Sequence, residues 1–228
     1  MAKIELLDGA MGSEFIKRGF TLPEHTWSAN INIENPDTVS EIHKEYIKAG
    51  ASYITTNTFR STPRAYIKTG LDDEAATIAA KKSFLGAINS AIKASNEKTK
   101  VLGSVAPLED CYNPHLFPGK DIASKEFSQI AEWFNIKEID IILIETMNSI
   151  IEAETCIKAF SKLNKPIWVS FILKDNHHIL SGETLPSAIK MVKKHNVSAF
   201  LVNCSPLYIT HKSLKVISEN WDKKWGVY

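Results

Sequence analysis

Three residues of this sequence stand where chemistry could be done: Asp8, Glu145 and Cys204. Each follows a short apolar run of the kind that forms a strand: Ile4 to Leu7, Ile139 to Ile144, and Ala199 to Asn203. Two carboxylates facing one space can hold an ammonium group, or divide acid and base work between them. A thiol beside them can act as a nucleophile or a metal ligand. Each also has a plainer reading. An Asp before a Gly is an ordinary turn former, and an isolated Cys often packs as a small buried apolar residue. Glu145 resists such a reading, because carboxylates that end an apolar run are rarely buried without a partner.

Other candidates carry less. Cys156 falls in the helical run Ala153, Cys156, Ile157, Phe160 and reads as core, while Cys111 sits in a loop on the same face as Cys204. There is no C-x-x-C, and His177 and His178 read as a solvated loop rather than a ligand pair. Three cysteines are a sparse, odd set that suits free thiols or a metal ligand better than a disulfide framework.

Positioning such residues requires a scaffold, and the pattern supplies one. Strand-like runs at Ile4–Leu7, Tyr53–Thr56, Val101–Val105, Ile139–Ile144, Ile167–Leu173, Ala199–Asn203 and Trp225–Tyr228 alternate with helical stretches. Val39, Ile42, Tyr46 and Ala49 recur at helical spacing, as do Ala75, Ile78, Ala79, Leu85, Ile88 and Ile92, and Leu185, Ala188, Ile189 and Val192. Thr38 and Glu41 suggest a capping box behind Pro36 and Asp37. Six βα units and the start of a seventh strand predict an α/β fold of the (β/α)8 barrel type, which usually takes about 250 residues. The barrel is read as one domain over residues 1–228, incomplete and lacking its last strands. A doubly wound open sheet is the runner-up, disfavoured because no G-x-G-x-x-G follows the first strand and no G-x-x-x-x-G-K-S/T occurs. In a barrel the active site lies at the C-terminal strand ends, which is where Asp8, Glu145 and Cys204 fall.

Composition narrows the function class. The 228 residues carry a net charge of +1, and the arginines are Arg18, Arg60 and Arg64, so nucleic acid is not expected as a partner. No run approaches a membrane span of about 18 apolar residues, and the Met-Ala-Lys-Ile-Glu start lacks a signal-peptide pattern. A cytoplasmic protein without membrane contact is predicted.

Taken in order, Leu-Leu-Asp-Gly-Ala-Met-Gly-Ser-Glu, Ala-Gly-Ala-Ser-Tyr-Ile-Thr-Thr-Asn-Thr-Phe, Gly-Ser-Val-Ala-Pro, Ile-Glu-Thr-Met, Ser-Gly-Glu and Val-Asn-Cys-Ser-Pro resemble the motifs of the homocysteine S-methyltransferase family. The resemblance implies a zinc-dependent methyltransferase of methionine biosynthesis, with homocysteine and a methyl donor, S-methylmethionine or S-adenosylmethionine, as substrates. It assigns Cys204 as catalytic residue and first zinc ligand, and Asp8 and Glu145 as holders of the homocysteine amino group. Gly9, Thr56 and Asn203 become substrate-site residues by the same matching. The family's remaining two zinc cysteines belong to a Gly-Gly-Cys-Cys motif that this sequence lacks; it would fall roughly 60 to 80 residues past Tyr228. The alternative is therefore a truncated, inactive or partner-dependent homocysteine-binding remnant, with self-association or a complementing chain supplying what is missing.

Overall fold

Apolar, β-branched runs become parallel strands and the stretches between them become covering helices, in a computed structural model that describes residues 4–228. The first three residues of the expected domain 1–228 lie outside the described residues. Two compact units result: one runs to Ser104 and takes in Ile136–Asp140, and the other comprises Val105–Asn135 and Ile141–Tyr228.

The first unit holds α1 (Met11–Lys17), α2 (Ile31–Glu34), α3 (Pro36–Lys48), β1 (Tyr53–Thr55), α4 (Pro63–Ile67), α5 (Asp73–Ala94) and β2 (Lys100–Val105, whose last residue opens the second unit). β1 and β2 pair in parallel, Tyr53 opposite Lys100 and Thr55 opposite Leu102. The strand expected at Ile4–Leu7 is reduced to one parallel bridge between Leu7 and Tyr53. Ile4 and Leu6 are 86% and 53% exposed, so their apolar side chains gain no burial from further pairing.

Two helical expectations also change. The capping box at Thr38 does not form: the helix begins earlier, with Pro36 at its first position and Asn35 before it. Proline suits that place because the N–H it lacks would have no helical partner there. In α5, Asp72 caps the N-terminus by accepting from the Ala75 N–H at 2.8 Å, but Ile78 and Leu85 point outward at 63% and 43% exposure. The buried stripe is instead small, with Ala76, Ala80, Ser83, Ala87 and Ala91 around Phe84 and Ile88. The reason is a close approach: a Cβ on Gly86 would run into the Asn32 backbone carbonyl of α2. Around that contact lies a buried polar network. The Asn32 amide donates to the Asn57 carbonyl at 2.8 Å and to the Ser83 hydroxyl at 3.1 Å, and the Ser28 hydroxyl donates to Asn57 Oδ1 at 2.6 Å.

The second unit holds α6 (Lys120–Trp133), β3 (Ile141–Met147), α7 (Ile150–Phe160), β4 (Ile167–Phe171), α8 (Leu185–Val192), β5 (Ala199–Val202), α9 (Leu207–Asn220) and β6 (Lys224–Val227). Its strands are parallel neighbours in chain order: Leu143 lies opposite Trp168, Trp168 opposite Ala199, and Phe200 opposite Trp225. β3, β4 and β5 are buried along their whole length, as strands covered on both faces must be. Phe171 stacks on Phe200 at 5.6 Å between ring centres, and Trp221 of the α9 cap packs on Phe200 at 5.9 Å. As expected, Leu185, Ala188, Ile189 and Val192 form the buried face of α8.

Parallel strands alternating with helices are the α/β class of an incomplete (β/α)8 barrel, as the sequence implies. One boundary differs in a way that matters: Glu145 does not follow its strand but lies within β3, where the register shifts between Ile144 and Met147. The irregularity re-aims the side chains there, as bulges near strand ends do. No helix among the described residues is long and apolar enough to cross a membrane.

Candidate functional site

The polar residues at the strand ends of the second unit form one hydrogen-bonded set. Asn203, directly after β5, is 1% exposed and is the hub. Its Nδ2 donates to Thr146 Oγ1 at 3.0 Å and to Cys204 Sγ at 3.3 Å, while its Oδ1 accepts from the Ser170 hydroxyl of β4 at 2.7 Å. Glu145 of β3 is 9% exposed and accepts on Oε2 from the Tyr228 hydroxyl at 3.0 Å. The ladder reaches this level too, since the Cys204 N–H donates to the Tyr228 carbonyl at 3.3 Å and the Tyr228 N–H to the Val202 carbonyl at 3.2 Å.

Two members of this set are held in backbone conformations that side chains disfavour. Thr146 has φ +61° and Cys204 has φ +49°, in the left-handed region. For β-branched threonine this is a true outlier. Such positions cost about 1–3 kcal/mol each and persist where surrounding contacts impose them, commonly at functional sites. Both side chains accept from Asn203, one amide proton going to each residue.

The Cys204 thiol is pushed above its ordinary pKa by burial and by the Glu145 carboxylate, against hydrogen bonds from Tyr112, Asn203 and Thr146 that favour the thiolate. Burial, then the Cys204 and Cys111 thiols, push the Tyr112 phenol up to about 12. That hydroxyl therefore keeps its proton and can donate it to sulfur, although 60% of the residue is exposed. An opposed balance of this kind is sensitive to one charge. Iodoacetamide labelling of Cys204, followed by peptide mass spectrometry, is expected to be slower near neutral pH than for an unhindered thiol and to climb with pH. Glu145→Gln removes the nearby negative charge, lowers the thiol pKa and should speed labelling several-fold near neutrality; an unchanged rate would show that Glu145 does not act on this sulfur.

In the first unit, Asp8 is fixed at the end of the Leu7 bridge. Its Oδ2 accepts from the Thr55 N–H at 2.6 Å and its Oδ1 from the Thr55 hydroxyl at 2.9 Å. Gly9 lies against Tyr46, whose ring a Cβ there would meet at 2.7 Å; Tyr46 also donates to the Ala10 carbonyl at 3.3 Å. Thr56 is 2% exposed. Its hydroxyl accepts from the Ser104 N–H at 3.0 Å and shares a 2.8 Å hydrogen bond with Thr58.

The structure thus joins Glu145, Asn203 and Cys204 in one network and fixes Asp8, Gly9 and Thr56 within the first unit. Cys156 is fully buried on α7, as its helical run implies, and its thiol is pushed well above the ordinary range by burial. His178 turns inward on its own loop, with Nδ1 2.9 Å from Asp175 Oδ1. Sequence reasoning missed Tyr112, Ser170 and Tyr228. Ser170 was legible as the polar residue in Ile-Trp-Val-Ser-Phe, where a buried strand keeps a hydroxyl only with a partner. No group of three or more His, Cys, Asp or Glu side chains that could hold a metal ion occurs among the described residues.

Comparison with known proteins places these features in context. The family model described as homocysteine S-methyltransferase matches residues 5–228. The homocysteine S-methyltransferase of Escherichia coli strain K12 is 28% identical over 93% of this chain and 73% of its own length. Homocysteine S-methyltransferase 2 of Zea mays is 27% identical over 98% of this chain and 72% of its own. Among solved structures, the metallated form of the homocysteine methyltransferase MmuM from Escherichia coli superposes with a TM-score of 0.86 at 28% identity, covering 99% of this chain and 83% of that one. Its oxidized form gives 0.88 at 26% identity, covering 99% and 82%.

Proposed function

Because the chain belongs to the homocysteine S-methyltransferase family, we propose that it moves a methyl group from a sulfonium donor, S-methylmethionine or S-adenosylmethionine, to the sulfur of homocysteine, giving methionine. The observation that carries this reading is the Cys204 sulfur, met by hydrogen bonds from Asn203, Thr146 and Tyr112 in the electrostatic field of Glu145. A site arranged around a sulfur and a carboxylate suits an amino acid that ends in a thiol. The family match over nearly the whole chain favours an enzyme over an inactive remnant.

In the transfer, the homocysteine thiol first gives up its proton to water, and the thiolate sulfur attacks the donor methyl carbon in line. The new S–C bond forms as the donor's C–S bond breaks, and the electron pair leaves on the donor sulfur as a neutral thioether. Glu145 binds the homocysteine ammonium; it is nine-tenths buried, so the pair acts in a low dielectric where it is strong. Asn203 keeps the Cys204 thiol pointed by its 3.3 Å donation. Asp8, Gly9 and Thr56 are the proposed substrate residues of the first unit, with Asp8 oriented by its two bonds from Thr55. Cytoplasmic substrates and a cytoplasmic location suit this chemistry.

The family resemblance also brings zinc, which when bound would keep the substrate sulfur as thiolate. The residues described do not fit that ion. Cys204 offers one thiol, catalytic zinc takes three protein ligands, and no further donors gather around it into a ligand group among the described residues.

Incubating the purified chain with homocysteine and each donor in turn, with methionine read by mass spectrometry, tests the proposal. Methionine is expected with one of the two donors, and its formation should be lost in Cys204→Ala. No methionine with either donor, or undiminished formation by Cys204→Ala, would overturn it.

A further inference from the structure

The Tyr228 hydroxyl has a specific use beyond anything assigned so far. It donates to Glu145 Oε2 at 3.0 Å. Tyr228 as a residue keeps 39% of its surface exposed, and its hydroxyl lies near that of Ser170 as well. Ser170 in turn donates to Asn203 Oδ1 at 2.7 Å. The phenol is therefore tied to the carboxylate, beside the separate chain that runs from Ser170 through Asn203 to the Cys204 sulfur. Its backbone is fixed as well, by the bonds from the Cys204 N–H and to the Val202 carbonyl.

A buried carboxylate on a strand irregularity has rotamer freedom about its terminal torsion. A hydrogen bond to a charged group removes that freedom and stabilises the ionised form. We infer that Tyr228 is a positioning residue for Glu145, holding its carboxylate ionised and oriented so that this site selects thiols that carry an ammonium group. The inference rests on the proposed homocysteine reading, and it names the residue that sets the preference for the amine. Burial and the Glu145 charge push the Tyr228 phenol well above its ordinary range, so the hydroxyl remains a donor throughout the working pH range.

The test compares homocysteine with 4-sulfanylbutanoate, the same thiol acid without its amine, by calorimetry on the whole chain. Wild type is expected to prefer homocysteine. Tyr228→Phe keeps the ring and removes one oxygen; it should weaken homocysteine about tenfold and leave 4-sulfanylbutanoate unchanged. In the double variant Glu145→Gln with Tyr228→Phe, the second change should add nothing to the loss of preference, since both act on the same contact. A Tyr228→Phe protein that weakens both ligands alike, or keeps the full preference, overturns the role of Tyr228 and leaves the homocysteine reading standing. A wild type with no preference overturns both. Circular dichroism checks that the variant folds. Should it not, Ser170→Ala leaves the tyrosine in place and removes a neighbour of its hydroxyl; a smaller loss of preference supports the inference, and none overturns it.

Discussion

Glu145→Gln is expected to raise the KM for homocysteine about 100-fold, with a much smaller change in kcat. Glutamine is isosteric and can still accept from Tyr228 through its carbonyl oxygen, so the substitution removes the charge while this hydrogen bond can persist. The ammonium then enters a site that is nine-tenths buried without a counter-charge. Loss of one partner of such a pair costs about 2–3 kcal/mol, which corresponds to roughly 30- to 150-fold in affinity. Stability should not fall, because a buried carboxylate costs desolvation that the neutral amide avoids. Steady-state kinetics with a melting curve for the same protein checks both halves. A KM within about threefold of wild type, or a protein that melts far earlier, would place Glu145 in the scaffold rather than the site.

The second large effect belongs to stability. Gly86→Ala should destabilise the chain by about 2–3 kcal/mol, within the range for overpacking a filled contact. For a chain of this size that is a melting temperature lower by roughly 5–10 °C. Alanine is ordinarily the better helix former by about 1 kcal/mol, and α5 spans Asp73–Ala94, so local propensity alone predicts the opposite sign. The Asn32 backbone carbonyl decides the matter, because a backbone atom cannot swing aside as a side chain would. Separating α5 from α2 would also stretch the Asn32 bonds to Asn57 and Ser83, at 2.8 and 3.1 Å, leaving buried amide groups without partners. Thermal or urea unfolding of the variant is the measurement; a melting point at or above wild type would mean that the helix pair relaxes without cost.

Much of the molecule was legible in the amino-acid sequence by itself. Periodicity determined the alternation of strands and helices, since a strand buried on both faces has to be apolar throughout and a covering helix has to be striped. The runs Ile-Ile-Leu-Ile and Ala-Phe-Leu-Val became β3 and β5 for that reason. Residue type marked Glu145 and Cys204 as candidates, because a carboxylate and a thiol beside such apolar runs need a stated use. Only tertiary structure decided how they are used. Local signals placed a capping box at Thr38 and put Ile78 and Leu85 on the buried face of α5; packing overruled them, because Pro36 opens its helix and α2 crowds the face of α5 at Gly86. The left-handed backbone at Thr146 and Cys204 leaves no trace in their residue types. Tyr228 and Glu145 are 83 residues apart in sequence, and Ser170 and Asn203 are 33 apart. A hydrogen bond between groups so distant depends on strand order and register, which no local pattern encodes, and those bonds convert a list of polar residues into a site.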